Sequence, residues 1–189
     1  MTMITKRQNL VRIAEKLALK PFHDKMMGLS SNIELITDHF PEGPRAEFDG
    51  KWCAAFVYHC CVQAGFEIPY RHPTKAFGTF AGVRAWLQWA KLQENRFYFS
   101  SRNSRCNPES GDIVIYDHVF DPGPHDHMGI VLAASDEALR VAEGNVHGIS
   151  AVVERTRNSH IRGYIRIPNN YRHGPINSSV GRPKIGRSG

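Results

Sequence analysis

The stretch Trp52-Cys53-Ala54-Ala55-Phe56-Val57 is the starting point for interpreting the whole chain. Apolar residues continue from it at helical spacing along one face, and Gly65 then supplies a typical helix end. The residues before it, 44–51, include Pro, Gly and Asp and predict a loop. Cys53 is therefore expected in the first turn of a helix with a buried face, where unpaired N–H groups and the helix dipole favour a thiolate.

Two interpretations of Cys53 are open at this point. A free cysteine is often no more than a small buried hydrophobic residue. A thiol at a helix N-terminus can instead be a nucleophile, but only if another part of the chain supplies a base. The remaining sequence has to decide between them.

Composition narrows the class of protein. The chain has 189 residues, 41% hydrophobic and 22% charged, which is typical of one globular domain with its own core. No apolar run approaches the roughly 20 residues of a membrane span. Arg12, Glu15 and Lys16 interrupt the first apolar segment, so no secretory signal peptide is predicted. The net charge of +6 favours an anionic partner, whether cell wall, membrane surface or nucleic acid.

The cysteines do not form a disulfide framework. They occupy positions 53, 60, 61 and 106, and two of them are adjacent within the predicted helix. A chain of this length also has enough core to fold without such cross-links. All four are predicted to be reduced thiols.

Hydrophobic periodicity predicts helices first and strands afterwards. Thr5 and Gln8 form a capping box that begins a helix over 5–20, and further helices are expected over 32–38 and 80–92. Strands are predicted over 112–116, 128–133, 139–142, 151–154 and 161–167. This order indicates an α+β domain over residues 1–168. Residues 169–189 lack periodic apolar positions and predict a basic, flexible tail.

A histidine and two polar residues converge if one hairpin has the right register. His127 begins the second strand, and the third strand ends in Glu143-Gly144-Asn145. A turn centred on Asp136 would place His127 opposite Asn145 and Gly129 opposite Glu143, with His127, Glu143 and Asn145 on one face. A slip of one residue would destroy this arrangement. Glu143 or Asn145 could then orient His127 as a base, provided that this face packs against the Cys53 helix.

Two alternatives to this site are open on spacing alone. His125 has the same strand parity as His127 and could equally be the base. A metal site could combine His125-Asp126-His127 with the cysteines Cys60, Cys61 and Cys106. None of the usual metal-ligand spacings is present, so no metal is predicted.

Taken together, these motifs resemble the CHAP family (cysteine, histidine-dependent amidohydrolases/peptidases), relatives of NlpC-type and papain-like cysteine hydrolases. The resemblance covers about 49–168 and lies in five segments: Trp52-Cys53-Ala54-Ala55-Phe56-Val57 with Ala64-Gly65, Gly111-Asp112-Ile113-Val114, His127-Met128-Gly129-Ile130-Val131, Glu143-Gly144-Asn145 and Gly163-Tyr164-Ile165. It implies a papain-like fold in which N-terminal helices, including 5–20, pack on a C-terminal antiparallel sheet, a meander of about five strands.

The resemblance also implies the roles of individual residues. Cys53 would be the nucleophile and His127, rather than His125, the base, with Glu143 and Asn145 as orienting and polar partners. The backbone N–H of Cys53 would stabilise the oxyanion, and Trp52 and Tyr116 are candidates for a further oxyanion or substrate contact. No cofactor and no metal are expected, because Asp49 alone is too little for the calcium site that some family members carry.

The activity implied is hydrolysis of an amide in peptidoglycan, by an N-acetylmuramoyl-L-alanine amidase or a stem or cross-bridge endopeptidase. Such an enzyme would act in the cell envelope after synthesis in the cytoplasm and release by a route other than Sec. A holin, a secretion machine or an immunity protein would be its partner, depending on context. The alternatives are a cytosolic amidase acting on a small soluble amide and a non-catalytic wall-binding domain. Nucleic acid is not expected, because the tail lacks interleaved aromatics beyond Tyr171.

Overall fold

The structure is a computed structural model that describes residues 3–24, 31–41, 51–103 and 107–173. The helices in these ranges are α1 (Lys6–Leu19), α2 (Glu34–Thr37), α3 (Cys53–Gln63) and α4 (Val83–Ala90), with a 3-10 turn at Lys75–Phe77. The strands are β1 (Tyr98–Ser100), β2 (Ile113–Tyr116), β3 (His127–Ala134), β4 (Ala138–Val146), β5 (Ile149–Thr156) and β6 (Ile161–Ile165).

The six strands form one antiparallel sheet in the order β1-β6-β2-β3-β4-β5. The predicted α+β class is therefore confirmed. Four strands, β2 to β5, form a meander, but β6 crosses back to pair with β2 instead of extending it. Strand β1 was not predicted from the sequence, because its three residues are too few to show an alternating pattern.

Helix α1 begins where the capping box predicts. The Thr5 backbone N–H donates to Gln8 Oε1 at 2.9 Å, and the Gln8 N–H donates to Thr5 Oγ1 at 3.2 Å. Its buried residues, Leu10, Ala14 and Ala18, are spaced four apart and lie on one face. This face packs against α3 and the sheet.

Helix α3 lies at the centre of the core rather than at its boundary. All nine residues from Cys53 to Cys61 are buried, so the helix is enclosed on every side instead of along one stripe. It approaches the sheet closely at Gly144, where a Cβ atom would overlap the side chains of Phe56 and Trp52. Gly144 therefore allows β4 to lie directly against the first turn of α3.

The two faces of the sheet have different partners. Ile113, Ile115, Met128 and Ile130 belong to the main core with the helices, whereas the alternate positions form a second buried cluster that includes Val114, Tyr116, Val131 and Val141. His127 pairs with Tyr116 and shares the parity of this second cluster. The sequence argument required the sheet face that bears His127 to pack against the Cys53 helix. In the structure His127 belongs to the opposite face.

A buried carboxylate joins α1 to the sheet. Asp112 is fully buried, and its Oδ1 accepts hydrogen bonds from Arg7 Nη2 at 2.8 Å and from Arg166 Nε at 2.9 Å. Its other oxygen accepts from the Glu109 N–H at 2.8 Å. Asp112 therefore joins two distant segments, α1 and the residues after β6, to the turn before β2.

The start of the predicted tail contacts the domain. Asn169 Oδ1 accepts from the Arg7 N–H at 2.9 Å, and the Tyr171 ring packs edge-on to Trp89 and Phe97 with centroids 5.5 and 5.4 Å away. Residues 174–189 lie outside the described part of the chain. Among the helices described, none is long and apolar enough to cross a bilayer.

Candidate active site

Cys53 is the first residue of α3 and only 4% of its surface is exposed. The preceding Trp52 is the N-cap, and among the described residues no side chain caps the helix by hydrogen bonding. The first N–H groups of a helix have no partner within the helix. Sulfur and unpaired backbone donors therefore share one end of α3.

His127 bridges the thiol and a carboxylate. It is the first residue of β3, and its Nε2 lies 2.8 Å from Glu143 Oε2. Cys53 acts on the charge of the same ring, and with Nε2 at Glu143 the remaining ring nitrogen is Nδ1. The contact is made where β3 and α3 both begin, which is how a residue of the opposite sheet face reaches the helix.

The environment keeps His127 protonated. Burial disfavours the imidazolium, but the charge and hydrogen bond of Cys53, together with those of Glu143, outweigh it and raise the pKa of His127 to about 9. An imidazolium on His127 and a carboxylate on Glu143 thus stabilise each other in the buried site.

Glu143 occupies the predicted position in the β3–β4 hairpin, but the register near the turn differs from the predicted one. Gly129 pairs with Glu143 as expected. The turn, however, runs from Ser135 to Ala138 and pairs Ala134 with Leu139, one residue out of the predicted register. A bulge between Val131 and Ala133 restores the register before the site.

Gly129 provides the space through which Glu143 reaches the histidine. A Cβ atom at this position would lie 2.6 Å from Val141 Cγ1 and 2.7 Å from Glu143 Cγ. These distances are too short for any side chain, so the glycine two residues after His127 is a packing requirement of the Glu143 position.

Arg155 is the site residue that the sequence analysis missed. From β5 it donates Nε to Glu143 Oε1 at 3.0 Å and Nη2 to Glu143 Oε2 at 2.6 Å. Burial opposes ionisation of Glu143, but hydrogen bonds and charges of His127 and Arg155 hold its pKa below the usual value. Only the β4–β5 register, which pairs Leu139 with Arg155, could have placed the arginine on this face.

Two aromatic rings enclose the imidazole. Tyr116 is stacked on His127 with ring centroids 5.9 Å apart, and Phe120 contacts it edge-on at 4.6 Å. Burial, followed by the charge of Glu143, raises the pKa of the Tyr116 phenol. The Tyr116 hydroxyl and the Trp52 Nε1 are both buried, and neither has a hydrogen-bond partner among the described residues.

Asn145 lies at the end of β4, in an irregular stretch. The pairing of β4 with β5 shifts between Glu143 and Val146, and Asn145 has φ of 60°. Asparagine tolerates this left-handed conformation better than most residues. The orienting contact to His127 comes from Glu143, the other residue that the sequence offered for this role.

The other histidines have different surroundings. His125 lies among Arg162, Asp117 and Arg84, and burial followed by the Arg162 charge lowers its pKa. His59 is buried in α3 with its Nδ1 2.9 Å from His39 Nε2. The geometry thus brings His127 alone of these to Cys53.

The described residues contain no group of three His, Cys, Asp or Glu side chains that could hold a metal ion. Cys53, Cys60 and Cys61 are free thiols and all are buried. Cys106 and Asp49, which entered the metal and calcium considerations, lie outside the residues that the structure describes.

A thiol at a helix N-terminus, facing histidine and glutamate on an antiparallel sheet, is the arrangement of papain-like cysteine hydrolases. The CHAP domain model matches residues 45–145, more than half of the chain. The chain therefore belongs to the CHAP domain family, whose members are generally amidases or peptidases. Neither a curated protein nor a solved structure gave a significant match.

Proposed function

We propose that the protein is a peptidoglycan hydrolase that cleaves an amide bond by covalent catalysis. The observation that supports this most directly is the buried chain of contacts from Cys53 through His127 to Glu143. In this proposal Cys53 is the nucleophile, His127 the general acid and base, and Glu143 the residue that orients the imidazole. CHAP domain membership supports the reaction class.

The first half of the reaction forms a thioester. The Cys53 sulfur attacks the amide carbonyl carbon, and His127 gives its proton to the nitrogen as the carbon–nitrogen bond breaks. The raised pKa of His127 keeps that proton available at neutral pH. The amine product leaves, and the acyl group remains on Cys53.

The second half regenerates the thiol. Neutral His127 removes a proton from water, the hydroxide attacks the thioester carbon, and the carbon–sulfur bond breaks to release a carboxylic acid. In both halves the uncapped N–H groups of α3, beginning with that of Cys53, can stabilise the oxyanion. One such donor is typically worth about 10²–10³ in turnover. Trp52 and Tyr116, whose buried donors have no hydrogen-bond partner among the described residues, are proposed as candidates for a second donor, and Asn145 as a further polar partner.

The substrate assignment rests on charge and family. A net charge of +6 suits an anionic wall polymer. CHAP domain membership supports a cut either between muramic acid and L-alanine or within the stem or cross-bridge peptide. The protein would accordingly act in the cell envelope, and its delivery would involve a holin or a secretion machine.

Digestion of purified peptidoglycan tests this proposal. Wild-type protein should release new muropeptides that His127→Ala does not, with products resolved by mass spectrometry. Free lactyl-bearing glycan would identify an amidase, whereas shortened or uncrosslinked stems would identify an endopeptidase. Absence of products from walls of several chemotypes would contradict the proposal and direct attention to a soluble amide or to a binding role.

A further inference from the structure

We propose that Arg155 is a positioning residue that keeps Glu143 ionised and fixed in orientation, so that Glu143 in turn holds His127 toward Cys53. Arg155 touches neither the thiol nor the imidazole nitrogens, and its effect is transmitted through the carboxylate. This inference rests on the proposed Cys–His mechanism. The alkylation measurement that tests it does not depend on the substrate.

The carboxylate of Glu143 is fixed at both oxygens. Oε2 accepts from His127 Nε2 at 2.8 Å and from Arg155 Nη2 at 2.6 Å, while Oε1 accepts from Arg155 Nε at 3.0 Å. Paired hydrogen bonds from a planar guanidinium define the plane of the carboxylate as well as its position. Rotation of Glu143 away from His127 would break both bonds to Arg155.

The charge of Arg155 decides where the proton lies. Glu143 has no exposed side-chain surface, and a buried carboxylate paired only with histidine can become neutral by taking the imidazole proton. A guanidinium does not give up its proton in proteins. Its presence therefore favours ionised Glu143 and leaves the shared proton on His127.

Arg155 also shares its aromatic neighbours with His127. Its guanidinium carbon lies 5.6 Å from the centroid of the Tyr116 ring and 5.5 Å from that of Phe120, the two rings that contact the imidazole. The titratable groups that face this unit are Cys53 from α3, Tyr116 from β2, His127 from β3 and Glu143 from β4. Arg155 is the permanent positive charge among them.

A matched control lies on the neighbouring strand. Arg140 of β4 forms an ion pair with Glu15 of α1 at 2.6 Å, and both side chains are substantially exposed. Arg140→Gln removes the same charge from the same sheet without touching the carboxylate–histidine unit. It controls for the general effect of losing an arginine.

The experiment measures the rate at which iodoacetamide alkylates Cys53 as a function of pH, with peptide mass mapping to separate Cys53 from the other cysteines. In Arg155→Gln, the pH at which the alkylation rate begins to rise should be higher by about one unit or more. Loss of a nearby positive charge favours protonation of the whole site. Amide hydrolysis at pH 7 should fall about 10–100-fold, the size seen for residues that orient metal ligands. Arg155→Lys should retain the wild-type onset pH but recover only part of the rate, because an ammonium cannot make the paired contact.

Arg140→Gln should match wild type in both measurements. An Arg155→Gln protein with lower thermal stability but an unchanged alkylation profile would show a structural role only and overturn the inference. Full wild-type rate in Arg155→Lys would overturn the part that depends on paired hydrogen bonds. If wild-type protein hydrolyses no amide, the alkylation profile still reports on Arg155, so the two failures are distinguishable.

Discussion

Two buried carboxylates, Asp112 and Glu143, are each held by arginine, but their surroundings differ in one respect. Asp112 is bound by Arg7, Arg166 and a backbone N–H, none of which changes protonation near neutral pH. Glu143 shares one oxygen between Arg155 and the imidazole of His127. Both side chains have no exposed surface.

The difference separates an architectural use of a buried acid from a chemical one. At Asp112 the permanent charges join α1, the turn before β2 and the segment after β6. At Glu143 the titratable partner makes the position of a proton depend on the carboxylate. The same pairing of carboxylate and arginine therefore supports the fold in one place and the proposed chemistry in the other.

Replacing each acid by its amide should give the largest difference between the structural role of Asp112 and the proposed chemical role of Glu143. Glu143→Gln should lower amide hydrolysis per folded molecule by at least about 10²-fold, since loss of a histidine-orienting acid can cost up to about 10⁴. Asp112→Asn should leave this activity within about twofold while lowering the free energy of unfolding by roughly 3 kcal/mol, as for other broken buried ion pairs.

Urea unfolding gives the stabilities, and activity is compared where near-ultraviolet circular dichroism shows both variants folded. Equal loss of activity per folded molecule in the two variants would contradict the distinction.

The titratable partner also predicts a pH dependence of stability. The folded-state pKa of His127 is about 9, above its ordinary value of 6.5. Its contribution to the free energy of unfolding is therefore complete below pH 6.5 and is lost as pH rises through about 9, by at most about 3 kcal/mol. Cys53→Ala removes the largest contribution that raises this pKa, so the decline should be smaller in that variant. Urea unfolding at pH 6.5 and 9 measures this decline in the free energy of unfolding. An equal decline in wild type and Cys53→Ala would show that Cys53 does not raise the pKa of His127.

Crowding at Gly129 should disturb the Glu143 site selectively. Gly129→Ala forces a methyl group against Val141 and Glu143 and should destabilise the fold by about 1–3 kcal/mol, with a loss of activity beyond the unfolded fraction. Gly123→Ala is the control, because no atom lies within 4 Å of a Cβ there. Thermal unfolding and hydrolysis of the same samples provide the comparison. Full activity per folded molecule in Gly129→Ala would show that Glu143 does not need this space.

Removing the positive charges of the C-terminal residues should affect neither Asp112 nor Glu143. Removing residues 174–189 eliminates Arg182, Lys184 and Arg187 and halves the net charge of +6, while Tyr171 stays in place. Binding to whole walls at low salt should weaken, by about tenfold or less, because long-range attraction falls with charge. The unfolding temperature and hydrolysis of a soluble wall fragment should be unchanged. A truncated protein that binds walls as wild type does at every salt concentration would show that the tail has no electrostatic role.

The sequence correctly predicted those structures whose determinants lie within one short segment. Helical spacing after Cys53 and the capping box at Thr5 each predicted a local structure that is observed. The pairing of Gly129 with Glu143 was also predicted, although the turn and the Leu132 bulge displace the register twice, in opposite directions. That agreement depended on two errors that cancel.

The missing parts all depend on contacts between distant segments. Arg155 reaches Glu143 only through the β4–β5 register, and no local pattern marks it. Which face of the sheet meets α3 depends on the packing of the whole domain, so alternation could not decide it. The Phe120 ring reaches His127 because the Asp126 carboxylate folds its loop by accepting three backbone N–H bonds, from Val119, Phe120 and Asp121.

The central claim is that Cys53 carries out the chemistry, and one comparison of cysteines tests it most directly. Muropeptide release from purified peptidoglycan is measured for wild type, Cys53→Ala and Cys61→Ala, the last altering a buried thiol of the same helix. The account predicts no release by Cys53→Ala and, per folded molecule, wild-type release by Cys61→Ala. Release by Cys53→Ala at a rate near that of wild type would contradict it.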